Sequence, residues 1–264
     1  MMSRPQSSDR VYGIHGATSV LKESPQRVRR VLIADGFHGK RLQAIRTLAK
    51  EQRVAVKSVP RSTLNRITDG APHQGVVLDV DSIVAKTESE LQEVFATWQT
   101  PLILGLDGVV DPRNVGACLR TAEGAGVDAV LLGRSRSAPL TDTVYRTSMG
   151  ALESMFVVHV ANLARRLDWL KNQGCWIIGS DHSASTSYSD VDLTVPTVIV
   201  TGGEEKGLRA LTASKCDQIV GIPMLGQIES LNVAVATGVL LYEAIRQRAQ
   251  AHQNKEQDTK RRNT

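Results

Sequence analysis

From Leu102 onward the chain repeats one rhythm, a short apolar run followed by a helical stretch, and this limits the possible folds more than any other feature. The apolar runs are Leu102–Leu106, Ala129–Leu132, Phe156–Val160, Trp176–Ile178, Thr197–Val200 and Ile219–Ile222. Helical stretches fall between most of them, so they predict an α/β domain with a mostly parallel sheet over residues 102–250. A last helix is expected near Val233–Gln250, small and apolar early and charged late. Beyond it, the polar and basic segment 251–264 is expected to be disordered.

The first part of the chain reads differently. Over residues 10–80, Val31-Leu32-Ile33, Val54-Ala55-Val56 and Gly75–Leu78 read as strands. Lys40–Gln52 reads as a helix with Leu42, Ile45 and Leu48/Ala49 at helical spacing. These make a second, smaller α/β domain. Residues 81–101 are expected to connect the two, with a short helix over Glu88–Trp98 stopped by Pro101.

Charge separates the halves. Residues 1–85 carry 14 Lys and Arg against 7 Asp and Glu, while residues 86–250 carry 14 against 18. The basic end is the one expected to meet a polyanion. Aromatic residues are only 4% of the chain, which disfavours a stacking platform for several bases. No apolar run reaches the roughly 18 to 20 residues that span a bilayer, and the first ten residues lack the apolar core of a secretory signal. Cys118, Cys175 and Cys216 lie far apart, without metal-ligand spacing, and read as small buried hydrophobes of a reducing compartment. No histidine pairs with a cysteine or carboxylate at ligand spacing. His15 and His73 allow either an RNA contact or a structural hydrogen bond.

Three segments carry candidate chemistry. Leu106–Arg120 follows a strand and opens a helix, with Asp111 as N-cap and Pro112 at the first helical position. Asn114 in that first turn is out of place, because asparagine favours caps. Arg113 and Arg120 share a helix face. Val200–Arg209 is glycine-rich after an apolar strand, but it is neither a Walker A loop nor the dinucleotide G-x-G-x-x-G. Ile222–Gly238 is a polar loop running into a small-residue helix that Ser230 or Asn232 would cap. Each segment alone also fits a plain turn or capped helix.

Taken in order and spacing, the three resemble the signature motifs of the TrmH branch of the SPOUT methyltransferases. The likeness is strongest to the bacterial group that 2'-O-methylates a guanosine of large-subunit ribosomal RNA. It covers nearly the whole chain, because Tyr12-Gly13-Ile14-His15 and Gly70–Gly75 resemble the two ends of that group's RNA-binding domain. The resemblance implies a C-terminal domain tied in a deep trefoil knot, S-adenosylmethionine as methyl donor without metal, a homodimer, a ribosomal RNA partner and a cytoplasmic location. It implies that Gly202, Ile222 and Leu231 hold the cofactor, and that Asn114, Arg120, Glu204, Ser230 and Asn232 form the polar active site. Two positions depart from the family pattern, Arg113 and Glu229. A transfer RNA substrate, or a non-catalytic RNA-binding or assembly role, are the competing expectations.

Overall fold

The computed structural model describes residues 8–36, 39–81, 85–133, 138, 140–204 and 207–262. The first seven residues, bearing the reading on a leader, lie outside these, as do Glu205 and Lys206 of the second motif and the last two residues of the tail. The chain forms two compact units: residues 1–84 with 140–154, and residues 85–139 with 155–264.

In the first unit, strands β1 (Ser8–Tyr12), β2 (Val28–Ala34), β3 (Val56–Val59) and β4 (Val76–Asp81) form a sheet in the order β1-β4-β2-β3. The pairings of β4 are antiparallel, and β2 and β3 run parallel. Alternate residues of β2 serve opposite faces, as strand geometry requires. Leu32 and Ala34 pack with Val59, Val77 and Leu64 of the helix Arg61–Ile67. The helices Ile14–Glu23 and Lys40–Glu51 pack on one another and bury Ala17, Val20, Leu21, Leu42, Ile45 and Ala49. Sequence patterning missed β1, whose polar residues suit an edge strand with a single neighbour. It also placed β3 two residues early, and it did not anticipate that residues 140–154 join this unit.

In the second unit, strands β5 (Leu102–Asp107), β6 (Ala129–Gly133), β7 (Val157–Val160), β8 (Trp176–Ser180), β9 (Thr197–Gly202) and β10 (Gln218–Val220) lie in the order β10-β8-β9-β5-β6-β7. Every pairing is parallel, so the expected α/β sheet is present. All six residues of β5 are buried. Such continuous apolar runs follow from covering both faces of a parallel sheet. Successive strands step away from β5 toward β7, then cross to β8 on the other side. In open parallel sheets of this kind, ligands bind beyond the carboxyl ends of the strands near such a reversal.

Residues 85–101 are built into this unit. Thr87 and Glu90 form a reciprocal capping box on the helix Glu88–Phe95. Its Leu91 is fully buried, and Phe95 stacks edge-on to Trp98 and Trp169 at 5.8 and 5.3 Å. Glu88 also accepts the Ala161 N–H at 2.8 Å and pairs with Arg166. Arg166 is buried and meets Glu88 through Nη2, while its Nε and Nη1 have no hydrogen-bond partner among the described residues. Burial opposes ionisation of Glu88, but the hydrogen bonds from Arg166 and Ala161 outweigh it and hold the carboxyl below its ordinary range. A carboxyl depressed in the folded state contributes stability above its unfolded pKa, and that contribution is lost as pH falls through the folded value. Glu88→Ala leaves a buried guanidinium uncompensated, so thermal melting at neutral pH should show a loss of about 3 kcal/mol. The difference from wild type should shrink as pH falls through the depressed folded-state value of Glu88. An unchanged melting temperature at pH 7 refutes this account.

The last helix runs from Val233 to Arg262, past the expected end at Gln250. The segment 251–262, expected to be disordered, is therefore helical here. Its polarity led to the disordered reading, yet it holds Ala, Gln, Lys, Glu and Arg and neither Gly nor Pro. Among the described residues no helix is long and apolar enough to cross a membrane. Burial raises the thiols of Cys118, Cys175 and Cys216 to about 11, so all three stay protonated at neutral pH.

Candidate active site

The three motifs meet at the carboxyl ends of β5, β9 and β10. At the end of β5, the buried Asp107 carboxylate accepts the Arg209 backbone N–H at 2.9 Å and its Nε at 2.6 Å. The Asp107 carbonyl accepts the Gly203 N–H at 2.9 Å. One residue thus fastens both ends of the glycine-rich loop to the first motif. Asp111 then caps the helix Pro112–Gly124 by accepting the Arg113 N–H at 2.8 Å.

The glycine-rich loop is folded back against itself. A Cβ on Gly202 would overlap the carbonyl of Gly207 and the nitrogen of Leu208. A Cβ on Gly203 would lie 2.5 Å from the Gly108 oxygen. Gly207 has φ +59° and donates its N–H to the Gly203 carbonyl at 2.9 Å. These glycines are demanded by backbone approach.

Asn114 and Asn232 are joined by Glu204. The Asn232 amide nitrogen donates to Glu204 Oε1 at 2.9 Å and to Asn114 Oδ1 at 3.1 Å. The Asn114 amide nitrogen donates to the same Glu204 oxygen. Asn232 Oδ1 accepts the Ala234 N–H at 3.0 Å and so caps the last helix. Each amide is oriented by these partners, which explains an asparagine in the first turn of a helix. Packing continues beneath: the Thr237 hydroxyl meets Thr201 at 3.3 Å and the Cys118 sulfur at 3.7 Å.

Beside this triangle lies a cavity of about 420 Å³. Gly202, Ile222 and Leu231 all line it, as do Glu204 and Ser230. Asn114 and Asn232 do not line it themselves. Arg120 does not line it; its side chain is exposed and makes no hydrogen bond or ion pair with the described residues. Glu204 therefore joins the two asparagines and forms no ion pair with Arg120. Ser230 is also exposed, with its hydroxyl uncommitted among the described residues.

Sequence reasoning missed the loop after β8. Ser180, Asp181 and His182 also line the cavity, with the Asp181 carboxylate close against Gly207 of the glycine-rich loop. Asp181 accepts the Ser183 hydroxyl at 2.7 Å and its N–H at 2.9 Å, which holds its carboxyl below the usual range. The Asp181 N–H donates to the Val220 carbonyl and the Gly221 N–H to that of Thr186, so this loop is zipped to the end of β10, just ahead of the third motif. Its signal was present as Asp-x-Ser after an apolar strand, a common turn pattern. With Asp181, Glu204 and Glu229 on its walls, the cavity suits a ligand bearing positive charge. Among the described residues no group of His, Cys, Asp and Glu could hold a metal ion.

Known proteins match both units. The family model described as "SpoU rRNA Methylase family" matches residues 101–242, and that described as "RNA 2'-O ribose methyltransferase substrate binding" matches residues 10–83. The chain is 42% identical over 242 residues to the 23S rRNA (guanosine-2'-O-)-methyltransferase RlmB of Haemophilus influenzae, covering 91% of this chain and 98% of the relative. It is 43% identical to the protein of the same name from Pseudomonas syringae, covering 91% and 96%. Among solved structures, the SpoU methyltransferase AviRb from Streptomyces viridochromogenes, in complex with AdoMet, superposes with a TM-score of 0.76 at 25% identity, covering 92% of this chain and 91% of that one. On the matched motifs, the shared fold and this identity across nearly its full length, the chain belongs to the SpoU rRNA methylase family.

Proposed function

We propose that the protein transfers the methyl group of S-adenosylmethionine to the 2'-hydroxyl of a guanosine ribose in 23S ribosomal RNA. The observation that carries this reading is the convergence of three motifs on one cavity, in a chain whose relatives of nearly equal length bear that activity in their names. The cavity fits the cofactor: its apolar walls at Ile222 and Leu231 suit the adenine, and its carboxylates suit the sulfonium and ammonium charges. The closed backbone at Gly202 leaves main-chain groups at the cavity wall. The cofactor supplies an already activated methyl group, so no metal is needed.

The residues of this chain then align and polarise. Asn114, Glu204 and Asn232 lock the glycine-rich loop, the helix Pro112–Gly124 and the last helix into one arrangement, which fixes the cavity before the RNA arrives. Ser230 presents its hydroxyl to orient the ribose. Arg120 holds an RNA phosphate and stabilises the developing alkoxide. A guanidinium stays protonated in a protein, so its role is charge rather than proton removal; as the new O–C bond forms and the methyl–sulfur bond breaks to leave a neutral thioether, the 2'-hydroxyl proton passes to solvent water.

Three further features belong to this reading. The passage through β10 and the loop 221–232 to the last helix forms the trefoil knot. The exposed apolar side chains Val110, Leu225, Ile228, Val235 and Tyr242 support a homodimer. A ribosomal RNA substrate places the enzyme in the cytoplasm.

Mapping ribose methylation across ribosomal and transfer RNA in cells with and without the gene tests the proposal. One guanosine in 23S RNA should lose its 2'-O-methyl group on deletion, and the purified chain should restore it and sediment as a dimer. A transfer RNA site lost instead, or no methylation lost at all, would overturn it.

A further inference from the structure

The two N-terminal motifs, 60 residues apart, meet in space. Gln74 Oε1 accepts the Ile14 N–H at 2.8 Å, at the opening of the helix that follows Tyr12 and Gly13. His73 beneath it is buried: Nδ1 accepts the Gly75 N–H at 3.0 Å, and Nε2 therefore donates to Asn65 Oδ1 at 2.8 Å. Burial, aided by Arg61, lowers its pKa and keeps it neutral. His73 is thus structural, whereas His15 is exposed and free of hydrogen bonds among the described residues.

A third segment completes the site. Residues 140–154, from the middle of the methylase half of the sequence, pack onto this unit. Tyr145 is buried and its hydroxyl reaches the Gly16 carbonyl at 3.4 Å. Gly150, with φ +95°, approaches so closely that a Cβ there would overlap the Ser19 hydroxyl. The Arg27–Glu153 ion pair fastens the far end. Arg146 is thereby set against Tyr12, donating to its hydroxyl, with the guanidinium carbon 5.0 Å from the ring centroid.

A pocket of about 190 Å³ lies among these groups, with Tyr12, His15, Gln74, Arg146 and Met149 on its walls. Two of them, Gln74 at φ +52° and Met149 at φ +54°, hold left-handed backbone although neither is glycine or asparagine. Such strain persists where the surrounding structure enforces it, and it clusters at ligand sites. Met149 is 55% exposed at the rim, where a large apolar side chain gains nothing from the fold itself.

We propose that this pocket binds one unstacked nucleobase of the RNA substrate together with its phosphate. Tyr12 and Met149 offer apolar faces to the base, Gln74 and His15 offer hydrogen bonds to its edge, and Arg146 offers charge to the phosphate. Recognition of single-stranded RNA works through such contacts to splayed-out bases. The half-buried Tyr12 ring fits one base and agrees with the low aromatic content. The residues that recognise RNA thus extend past the matched substrate-binding region 10–83 into residues 145–150.

The proposal rests on RNA being the substrate, and the experiment separates the two ideas. A 23S transcript carrying 4-thiouridine is titrated into the full-length chain, wild type and the double variant His15→Ala, Arg146→Ala, then cross-linked by light. Wild type should cross-link in peptides spanning residues 11–22 and 147–165. The double variant should bind about tenfold more weakly and lose those cross-links, while its affinity for S-adenosylmethionine stays at the wild-type value. Arg146→Lys in the His15 background should recover part of the binding. Wild-type RNA affinity in the double variant, or wild-type cross-links confined to other peptides, would overturn the pocket. A wild-type chain that binds no transcript overturns the RNA reading as well. Equal loss of RNA and cofactor affinity would signify unfolding, and the wild-type cross-link map then decides.

Discussion

Arg120→Ala is expected to slow methyl transfer by about 10²–10³-fold, the loss typical of removing one preorganised group that meets developing charge. The affinity for S-adenosylmethionine should stay within about twofold, because Arg120 neither lines the cavity nor touches the Asn114–Glu204–Asn232 triangle. Its exposed side chain makes no hydrogen bond with the described residues, so the fold should be indifferent to its loss. Arg120→Lys should recover little, since a lysine offers a point charge where two phosphate oxygens need a fork. Single-turnover methylation and calorimetric cofactor titration measure the two quantities separately. Cofactor binding lost with chemistry preserved would move Arg120 from the reacting atoms to the cofactor.

Gly202→Val has the opposite signature. A side chain there would drive into the Gly207 carbonyl and the Leu208 nitrogen, which are backbone and cannot rotate aside. The loop must open, and it lines the cavity on the side where Glu204 also stands. Overpacking of this kind costs on the order of 1–3 kcal/mol, so cofactor affinity should fall by about 10- to 100-fold. Buried Asp107 should still anchor Arg209 and Gly203, so the melting temperature should drop by only a few degrees. Unaltered affinity would show that the cofactor does not depend on this loop.

The parallel sheet was legible because burial on both faces writes each strand as an unbroken apolar run. The same logic failed at the edges. Strand β1 begins Ser8-Asp9-Arg10, and an edge strand has no need of apolar residues on both sides. The helix Val233–Arg262 outlasted its apolar stripe because helix length there is limited by breakers, and residues 251–262 contain none. At the site, Gly202, Ile222 and Leu231 were placed by resemblance, and the structure brings all three to one cavity. The triangle was not legible. Asn114 and Glu204 are 90 residues apart, and Asn114 and Asn232 are 118 apart, so no local pattern connects them. The only local trace was an asparagine in the wrong part of a helix. The loop at Asp181 looked like any turn until its strand was seen beside β9 and β10.

The segment 140–154 has a consequence for the order in which the molecule can be made. Its Tyr145 and Gly150 close onto the helix Ile14–Glu23 of the N-terminal unit, yet residues 85–139 must be synthesised first. At about 5–20 residues per second on the ribosome, the N-terminal sheet waits several seconds with its helix face uncovered and Tyr12 without Arg146. A fragment cut at Val84 would stay in that unfinished condition permanently. The N-terminal unit is therefore a module in space but not in biosynthesis: its last piece arrives only after the first two strands of the second sheet.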